Sequence, residues 1–569
     1  MKKTVFLCIS LLLSTSIIFS SHTNVYAEAD KPPAPTIENK NTKQVVPQKT
    51  HPVFSWGAPG PTSPVLHPGS ARGAGMIKTP LLRIDQIMTE MINKGTMPGA
   101  VTLVARRGHI VQHKAYGDAF RYTDDKGTEA ESPVSMRKNT IFDLASISKI
   151  FTTTAAMKLY EEDYFELDDP VAKYIPEFAE NGKQNVTIEQ LMTHTSGFKA
   201  WIPLYTIGEN REERLHYVFQ YPLSNEPGSI YTYSDLNMIT LGALIERLSG
   251  QRLDEFVADQ ITKPLKMNDT MYNPAEHLKQ RIAATEFQPW TDRGLVWGEV
   301  HDESAWSLDG VAGHAGVFST AKDLAKLAHM FVNDGHYGGK QILQPETVSL
   351  LVNNQIPQFP GDEHGLGWEL SQSWYMDGLS EANSIGHTGY TGTSLVINQN
   401  NDTIAILLTN RVHPTRETVS TNPARRQFAR QVADAIPVKI PGKQKAWFSG
   451  YGDQLNRTLT AELTSNKAAT LTFDTWYRTE ANYDMGLVEI SSDGKNWSTV
   501  HPPFTGSSVG WKSTEIQIPA NATHIRFRYK TDTYNNGRGW YVANLELETE
   551  NGGKLPLSMK SDEWTKRSY

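Results

Sequence analysis

The chain has 569 residues, with 55 basic against 62 acidic side chains, 39% hydrophobic residues and a single cysteine, Cys8. At roughly 100–200 residues per domain this length calls for more than one domain, and the apolar content is enough to build cores, which excludes disordered, collagenous and multi-span membrane classes. The slight acidic excess provides no positive field for a phosphate backbone and argues against nucleic acid as a partner.

Lys2 and Lys3 precede an apolar stretch over residues 5–19 that ends near the small-x-small sequence Val25-Tyr26-Ala27. This is the layout of a secretory signal peptide over residues 1–27, too short and Ser-rich in its apolar part for a membrane span. A lipid anchor on Cys8 is the rival, but bulky Leu7 precedes it where a small residue is expected. Cleavage after Ala27 predicts a secreted, extracellular protein, with association to the cell wall as an option and no stable membrane anchor. The mature chain then has no thiol nucleophile, disulfide or redox switch.

Residues 28–76 are rich in Pro, from Pro32 to Pro68, and lack a hydrophobic period, which predicts an extended spacer. Residues 81–93 have helical spacing, and residues 101–105 and 110–115 read as strands flanking the hairpin signal Arg107-Gly108. Long helical patterns follow. Strands return over 393–398 and 403–408 around the polar turn 399–402, before a helical segment over 425–435. The economical arrangement joins the first and last strands in one sheet with helices around them, an α/β sandwich with a helical lobe over residues 77–440. A break at 436–445 introduces an all-β pattern over 441–569. There Leu471, Phe473, Thr475 and Tyr477 alternate with Thr472, Asp474 and Trp476, and Ile525, Phe527 and Tyr529 with Arg526, Arg528 and Lys530. Turn signals at short intervals predict a jelly-roll-like β-sandwich.

The sharpest local feature is Asp143-Leu-Ala-Ser146-Ile-Ser-Lys149, with Ile150, Phe151 and Ala155 at helical spacing behind it. A serine at a helix start and a lysine three positions on share one face about a turn apart, where the helix dipole favours a developing alkoxide. Alone, Ser-x-x-Lys occurs by chance in long chains and fits an N-cap serine beside a solvated lysine. Two further elements accompany it: Tyr231-Thr-Tyr233-Ser234-Asp235-Leu-Asn237 after Pro227-Gly228, and Ser384-Ile-Gly386-His387-Thr388-Gly389-Tyr390, expected to open a strand.

The order Ser-x-x-Lys, Tyr-x-polar, His-Thr-Gly resembles the serine β-lactamase and penicillin-binding-protein-like superfamily in its class C-like branch. Pro98-Gly99-Ala100, Leu191-Met-Thr-His194-Thr-Ser196-Gly197 and Gly313-His314-Ala315-Gly316 fit the same branch, over residues 81–435. The resemblance implies that Ser146 is acylated, that Lys149 helps remove its proton, and that Tyr233 is the general base that later protonates the leaving group. It also implies an oxyanion hole from the backbone N–H groups of Ser146 and Tyr390, and substrate contacts from Asp235, His387, Thr388 and Gly389. A buried lysine can lose its proton more easily, and a phenol beside a cation can have a lowered pKa.

Two positions depart from the pattern, Asp235 for the usual Asn and His387 for the usual Lys. An ionised Asp235 cannot donate to a substrate carbonyl, and His387 would give a weaker, pH-sensitive clamp for a carboxylate. Both count against an efficient β-lactamase or a D-alanyl-D-alanine peptidase. With Val300-His301-Asp302-Glu303 and His387-Thr-Gly-Tyr390-Thr-Gly-Thr393, the chain resembles a narrower Gram-positive group that includes exo-acting N-acetylmuramoyl-L-alanine amidases. Residues 473–477, 488–497 and 537–542 resemble the C-terminal sandwich modules of secreted immune-inhibitor-type metalloproteases. Their aromatic residues either fill a core or stack on cell-wall glycan.

No cofactor or metal is expected. His301, Asp302, Glu303 and His314 lack compact ligand spacing, and a calcium site in the β region has no loop signature. Gly506-Ser-Ser508-Val-Gly510 mimics a nucleophile elbow but precedes a strand pattern, and the Gly-Gly-Lys sites ending at Lys340 and Lys554 lack the rest of a P-loop. The expectation is a secreted serine hydrolase of amide or ester bonds acting on peptidoglycan-derived muropeptides. A β-lactamase, carboxypeptidase, D-aminopeptidase or esterase of the same fold is the alternative. A non-catalytic cell-wall-binding or sensing protein is the alternative of another class.

Overall fold

The computed structural model describes residues 62–465 and 467–569. The leader, Cys8 and most of the Pro-rich stretch lie outside them. No helix among the described residues is long and apolar enough to cross a membrane.

The principal sheet is built from strands β1 (His67–Pro68), β2 (Gly99–Arg106), β3 (His109–Tyr122), β4 (Glu129–Ser135), β5 (Glu369–Leu370), β6 (Ser384–Thr388), β7 (Ser394–Asn398) and β8 (Thr403–Thr409). Its order is β1-β3-β2-β8-β7-β6-β5, with β4 on β3. The first and last strands of the region therefore meet at the β2–β8 pair, Leu103 opposite Ile406. The hairpin β2–β3 turns through Arg107 (φ 52°) and Gly108 (φ 84°), both left-handed as a two-residue primed turn requires.

The sheet buries both faces, and the period of two sorts its side chains. Ala100 and Val104 of β2 and Ala405 and Leu407 of β8 pack beneath α1 (Lys78–Asn93) and a terminal helix over Asn422–Ala435. Val101, Leu103, Ile404, Ile406 and Leu408 face the larger core shared with α2 (Ser148–Glu161), α3 (Ile188–Met192), α4 (Asp235–Ser249) and α5 (Ala321–Val332). This is the α/β layering with a helical lobe that the sequence pattern predicts.

The spacer expectation needs correction at its end. Residues 62–76 are docked on the sheet: β1 pairs in parallel with β3, and Ala74 and Met76 are buried. Fully buried Arg106 donates to the carbonyls of Ala74 at 3.2 Å and Gly75 at 2.8 Å. Gly108 makes this approach possible, since a Cβ there would stand 2.6 Å from Ser63. A buried guanidinium needs oxygen partners, and this stretch of chain supplies them, which a Pro-rich composition does not reveal.

The terminal helix of the first region (Asn422–Ala435) is α6. Beyond it come β9 (Ala446–Phe448), β10 (Asn456–Glu462), β11 (Ala469–Arg478), β12 (Met485–Ser491), β13 (Ser498–Thr499), β14 (Lys512–Ile518), β15 (His524–Lys530), β16 (Gly539–Thr549), β17 (Lys554–Leu555) and β18 (Thr565–Arg567). They form two sheets, β14-β11-β16-β9-β18 with β17 on β16, and β10-β15-β12-β13. Leu471, Phe473, Trp540 and Val542 of the first and Leu459, Val488, Ile525 and Phe527 of the second enter one apolar cluster. The burial of β11 alternates along residues 469–475, as the sequence predicts. Phe473, Trp540 and Tyr541 are buried, and Trp497 lies under the guanidinium of Arg526, so most of the conspicuous aromatic residues are structural. Ser508 is buried in the loop before β14, bonded to the backbone of Tyr477 rather than at a strand-to-helix elbow.

The strand-rich region docks on α6 and the segment before β6. Arg430 donates to the carbonyls of Gly537 and Asn536, and Arg478 pairs with Glu381 at 2.5 Å.

Candidate active site

Ser146 lies in a 3-10 turn, Ala145–Ile147, that runs directly into α2. Ala145 has φ 48°, an unusual value for a residue with a side chain, and buried Asp143 holds it there by accepting its N–H at 2.8 Å. The other carboxylate oxygen of Asp143 accepts the N–H of His301 at 2.6 Å, so one side chain ties the serine turn to the 300-region loop. Ser146 therefore stands at the positive end of a helix.

Lys149 is fully buried, which rules out the solvated N-cap arrangement. Its ammonium donates to Ser146 Oγ at 3.0 Å, to Asp235 Oδ1 at 2.8 Å and to the carbonyl of His314 at 3.3 Å, and it sits 4.7 Å from the centre of the Tyr233 ring. Asp235 is the first residue of α4, and Tyr233 precedes it by two, so one helix start delivers both groups. The four residues assigned from the ordered motifs thus converge.

Their protonation differs from expectation. Burial alone would push the Lys149 ammonium down, but Asp235 and Tyr233 outweigh it and hold it above the ordinary lysine range. Burial and then Asp235 push the Tyr233 phenol up to about 12, although Lys149 pulls the other way. The expected easily deprotonated lysine and acidified phenol are both corrected: Asp235, the residue that departs from the family pattern, keeps the ammonium in place, and burial, with Asp235 adding to it, keeps the phenol neutral.

His387 is the second correction. It is buried, and burial, then Lys149, lowers its pKa to about 3, so it is a neutral imidazole rather than a pH-sensitive clamp. Its Nδ1 lies 2.7 Å from the carbonyl of Thr388. His387 and Thr388 close β6 rather than open a strand, and the chain turns through 389–393 before β7. Gly389 is required by the protein itself, since a Cβ would stand 2.3 Å from the carbonyl of Leu144 and 2.1 Å from Thr393 Oγ1. Thr391 and Thr393 donate to the carbonyls of Asp143 and Leu144 at 2.8 and 3.1 Å, which fastens the Tyr390 turn beside the serine turn. The Tyr390 ring is half exposed, stacked on His301 and near Arg411 and Arg416.

The structure adds groups to which the motifs assign no role. His194 lies 4.7 Å from the Tyr233 ring and accepts the N–H of Ser234, and His364 packs edge-on against His194. Burial lowers both imidazoles, that of His364 to about 4. Asp302 caps the helix Glu303–Ser307 and pairs with buried His314 at 2.8 Å, with burial opposing and His314 enforcing a carboxylate well below the usual range. His301 pairs with Glu286, and Arg416 with Glu286 and Glu303. Asp235, Asp302 and His314 converge within 4.8 Å, but Lys149, the cap and the Asp302–His314 pair already engage them. The phrases that hold His194, His301 to Glu303 and His314 are visible in the sequence; the pairing of Asp302 with His314 and the place of His364 carry no local signal.

The neutral histidines set an expected pH response. A histidine held neutral by burial contributes fully above its unfolded pKa of about 6.5, and the contribution is lost as pH falls toward the folded value. With His387 at about 3 and His364 at about 4, stability should fall steadily below pH 6.5. Denaturant unfolding at pH 7, 6 and 5 should give a slope of up to about 1.4 kcal/mol per pH unit for each such group, and His387→Asn should remove one of them.

The buried Lys149 ammonium between half-buried Ser146 and Tyr233, on this sheet and helical lobe, fits a serine hydrolase, and the sequence profile described as Beta-lactamase matches residues 84–430. The chain belongs to the beta-lactamase family of serine hydrolases. It is 34% identical over 384 residues to a protein of Escherichia coli (strain K12) described as "Putative D-alanyl-D-alanine carboxypeptidase", covering 62% of this chain and 86% of that one. A protein of Salmonella agona (strain SL483) with the same description is 33% identical over 403 residues, 65% of this chain and 91% of its own. Among solved structures, "EstCE1, a hydrolase with promiscuous acyltransferase activity" is similar in fold, with a TM-score of 0.50 at 22% identity over 63% of this chain and 98% of that one.

Proposed function

We propose that the protein is a secreted amide hydrolase of peptidoglycan-derived fragments that works through an acyl-enzyme on Ser146, in the class C-like branch of its family. The observation that carries this reading is the 3.0 Å contact of the buried Lys149 ammonium with Ser146 Oγ, at a helix start and beside Tyr233. In the reacting form Tyr233 has given its proton to solvent and stands as a phenolate beside the Lys149 ammonium, and it takes the Ser146 proton as Oγ attacks the carbonyl carbon. The N–H groups of Ser146 and Tyr390 receive the oxyanion, Tyr233 protonates the departing nitrogen, and water releases the acyl group.

Within this reading the bond is that between N-acetylmuramic acid and L-alanine. A carboxypeptidase must hold a terminal carboxylate, and the position where the pattern usually has a cation is a neutral, buried His387. The description of the relatives favours the second reading, release of terminal D-alanine. The two sheets after residue 445, read as a sandwich module of the immune-inhibitor type, serve attachment to the wall.

Incubation with purified muropeptides separates the readings. Free L-alanyl peptides are expected. Free D-alanine would establish the carboxypeptidase, and wall binding without turnover of either bond would overturn the hydrolase.

A further inference from the structure

Outside the serine site, three carboxylates from two loops of the strand-rich region meet without a cation. Glu480 and Asp484 lie between β11 and β12, and Asp532 follows β15; one oxygen of each lies within 4.8 Å of the others. Asp484 is fully buried, and its protein contacts are long: the N–H of Asp532 at 3.3 Å and that of Glu480 at 3.5 Å. Among the described residues no lysine or arginine forms an ion pair with any of the three.

Further groups at the same point are left over. The Tyr529 hydroxyl is fully buried against Asp484 and makes no hydrogen bond of ordinary geometry among the described residues. Glu480 Oε2 is buried and unpartnered as well. Leaving such groups unmatched is unfavourable, the more so for a charge. Burial raises Asp484 to about 7, with Glu480 and Asp532 adding to the shift, as an acid surrounded by its own kind requires.

We propose that Glu480, Asp484 and Asp532, with the Tyr529 hydroxyl beside them, form a Ca²⁺ site that fastens the loops by which the strand-rich region docks on the hydrolase region. All donors are oxygens, which selects a hard cation. Ligands 2.3–2.6 Å from a central Ca²⁺ stand at most about 5.2 Å apart, a limit the three oxygens meet, whereas Mg²⁺ demands about 2.1 Å and regular octahedral geometry. Glu480 reaches the docking seam directly: Asn535 donates to it at 3.0 Å and accepts from Ser373 at 2.5 Å.

The test uses the full chain, stripped with EDTA and dialysed, with Ca²⁺ or Mg²⁺ added alone while binding stoichiometry and the unfolding temperature are measured. One Ca²⁺ per chain should raise the transition of the strand-rich region by about 5 °C at 1 mM, with a smaller response to Mg²⁺. Asp484→Asn should abolish the response and, by removing a buried charge, leave the metal-free protein as stable as the unsubstituted one or more so. Asp532→Asn, at a half-buried position, should also abolish it, and Asp302→Asn should retain it. No binding in the unsubstituted chain would overturn the proposal, as would a response that survives both Asp484→Asn and Asp532→Asn, or one lost only in Asp302→Asn.

Discussion

Ser146→Ala is expected to lower turnover of the substrate by more than about 10³-fold without changing the fold. The hydroxyl would be the only atom that forms the acyl bond, so the variant keeps the helix start, Lys149 and the Tyr390 turn but has no nucleophile. What remains is stabilisation of the oxyanion and binding, which sustain residual catalysis in other serine hydrolases. Intact-mass spectrometry after exposure to a fluorophosphonate or penicillin-type probe should show one adduct on the unsubstituted chain, mapped to Ser146, and none on the variant. Full activity in Ser146→Ala together with no adduct on the parent would remove the assignment.

Asp235 should produce the second large effect, on stability and pH dependence together. Asp235→Ala leaves the fully buried Lys149 ammonium without its carboxylate, a change that costs about 3 kcal/mol or more at a buried pair. The partial exposure of the Asp235 side chain, 19%, puts the expectation at the lower end of that range. A lysine held above its ordinary pKa stabilises the fold fully below about pH 10 and loses that contribution as pH rises through the folded value, so the difference from the parent should be complete at pH 7 and shrink only in strong alkali. Asp235→Asn retains an oxygen acceptor but removes the charge that raises both Lys149 and Tyr233. Its pH–rate profile should therefore shift toward lower pH on the alkaline side. An unchanged profile would separate Asp235 from proton transfer.

These two residues show how the reading changes between sequence and structure. The ordered motifs locate Ser146, Lys149, Tyr233 and Asp235 because each lies at an element boundary that is legible locally. Their protonation is not legible, because it depends on which charges surround a buried group. Lys149 is cationic because Asp235, 86 residues away, donates its charge to the same cavity. His387 is neutral because β6 lies inside the sheet. In each case it is the expected charge behaviour that burial and neighbouring charges correct.

Legible in the sequence are the strand and helix pattern around the sheet, the alternation of the strands after residue 445, and the candidate nucleophile with its partners. Periods of two and 3.6 and turn residues are local properties, so one chain segment carries them without its neighbours. Only long-range packing docks residues 62–76 on Arg106, sets His194 against Tyr233 with His364 packed on His194, and pairs Asp302 with His314. It also brought Asp532 to Glu480 and Asp484 from 48 residues away or more. Burial and convergence of charges are sums over distant segments, and no window of sequence contains them.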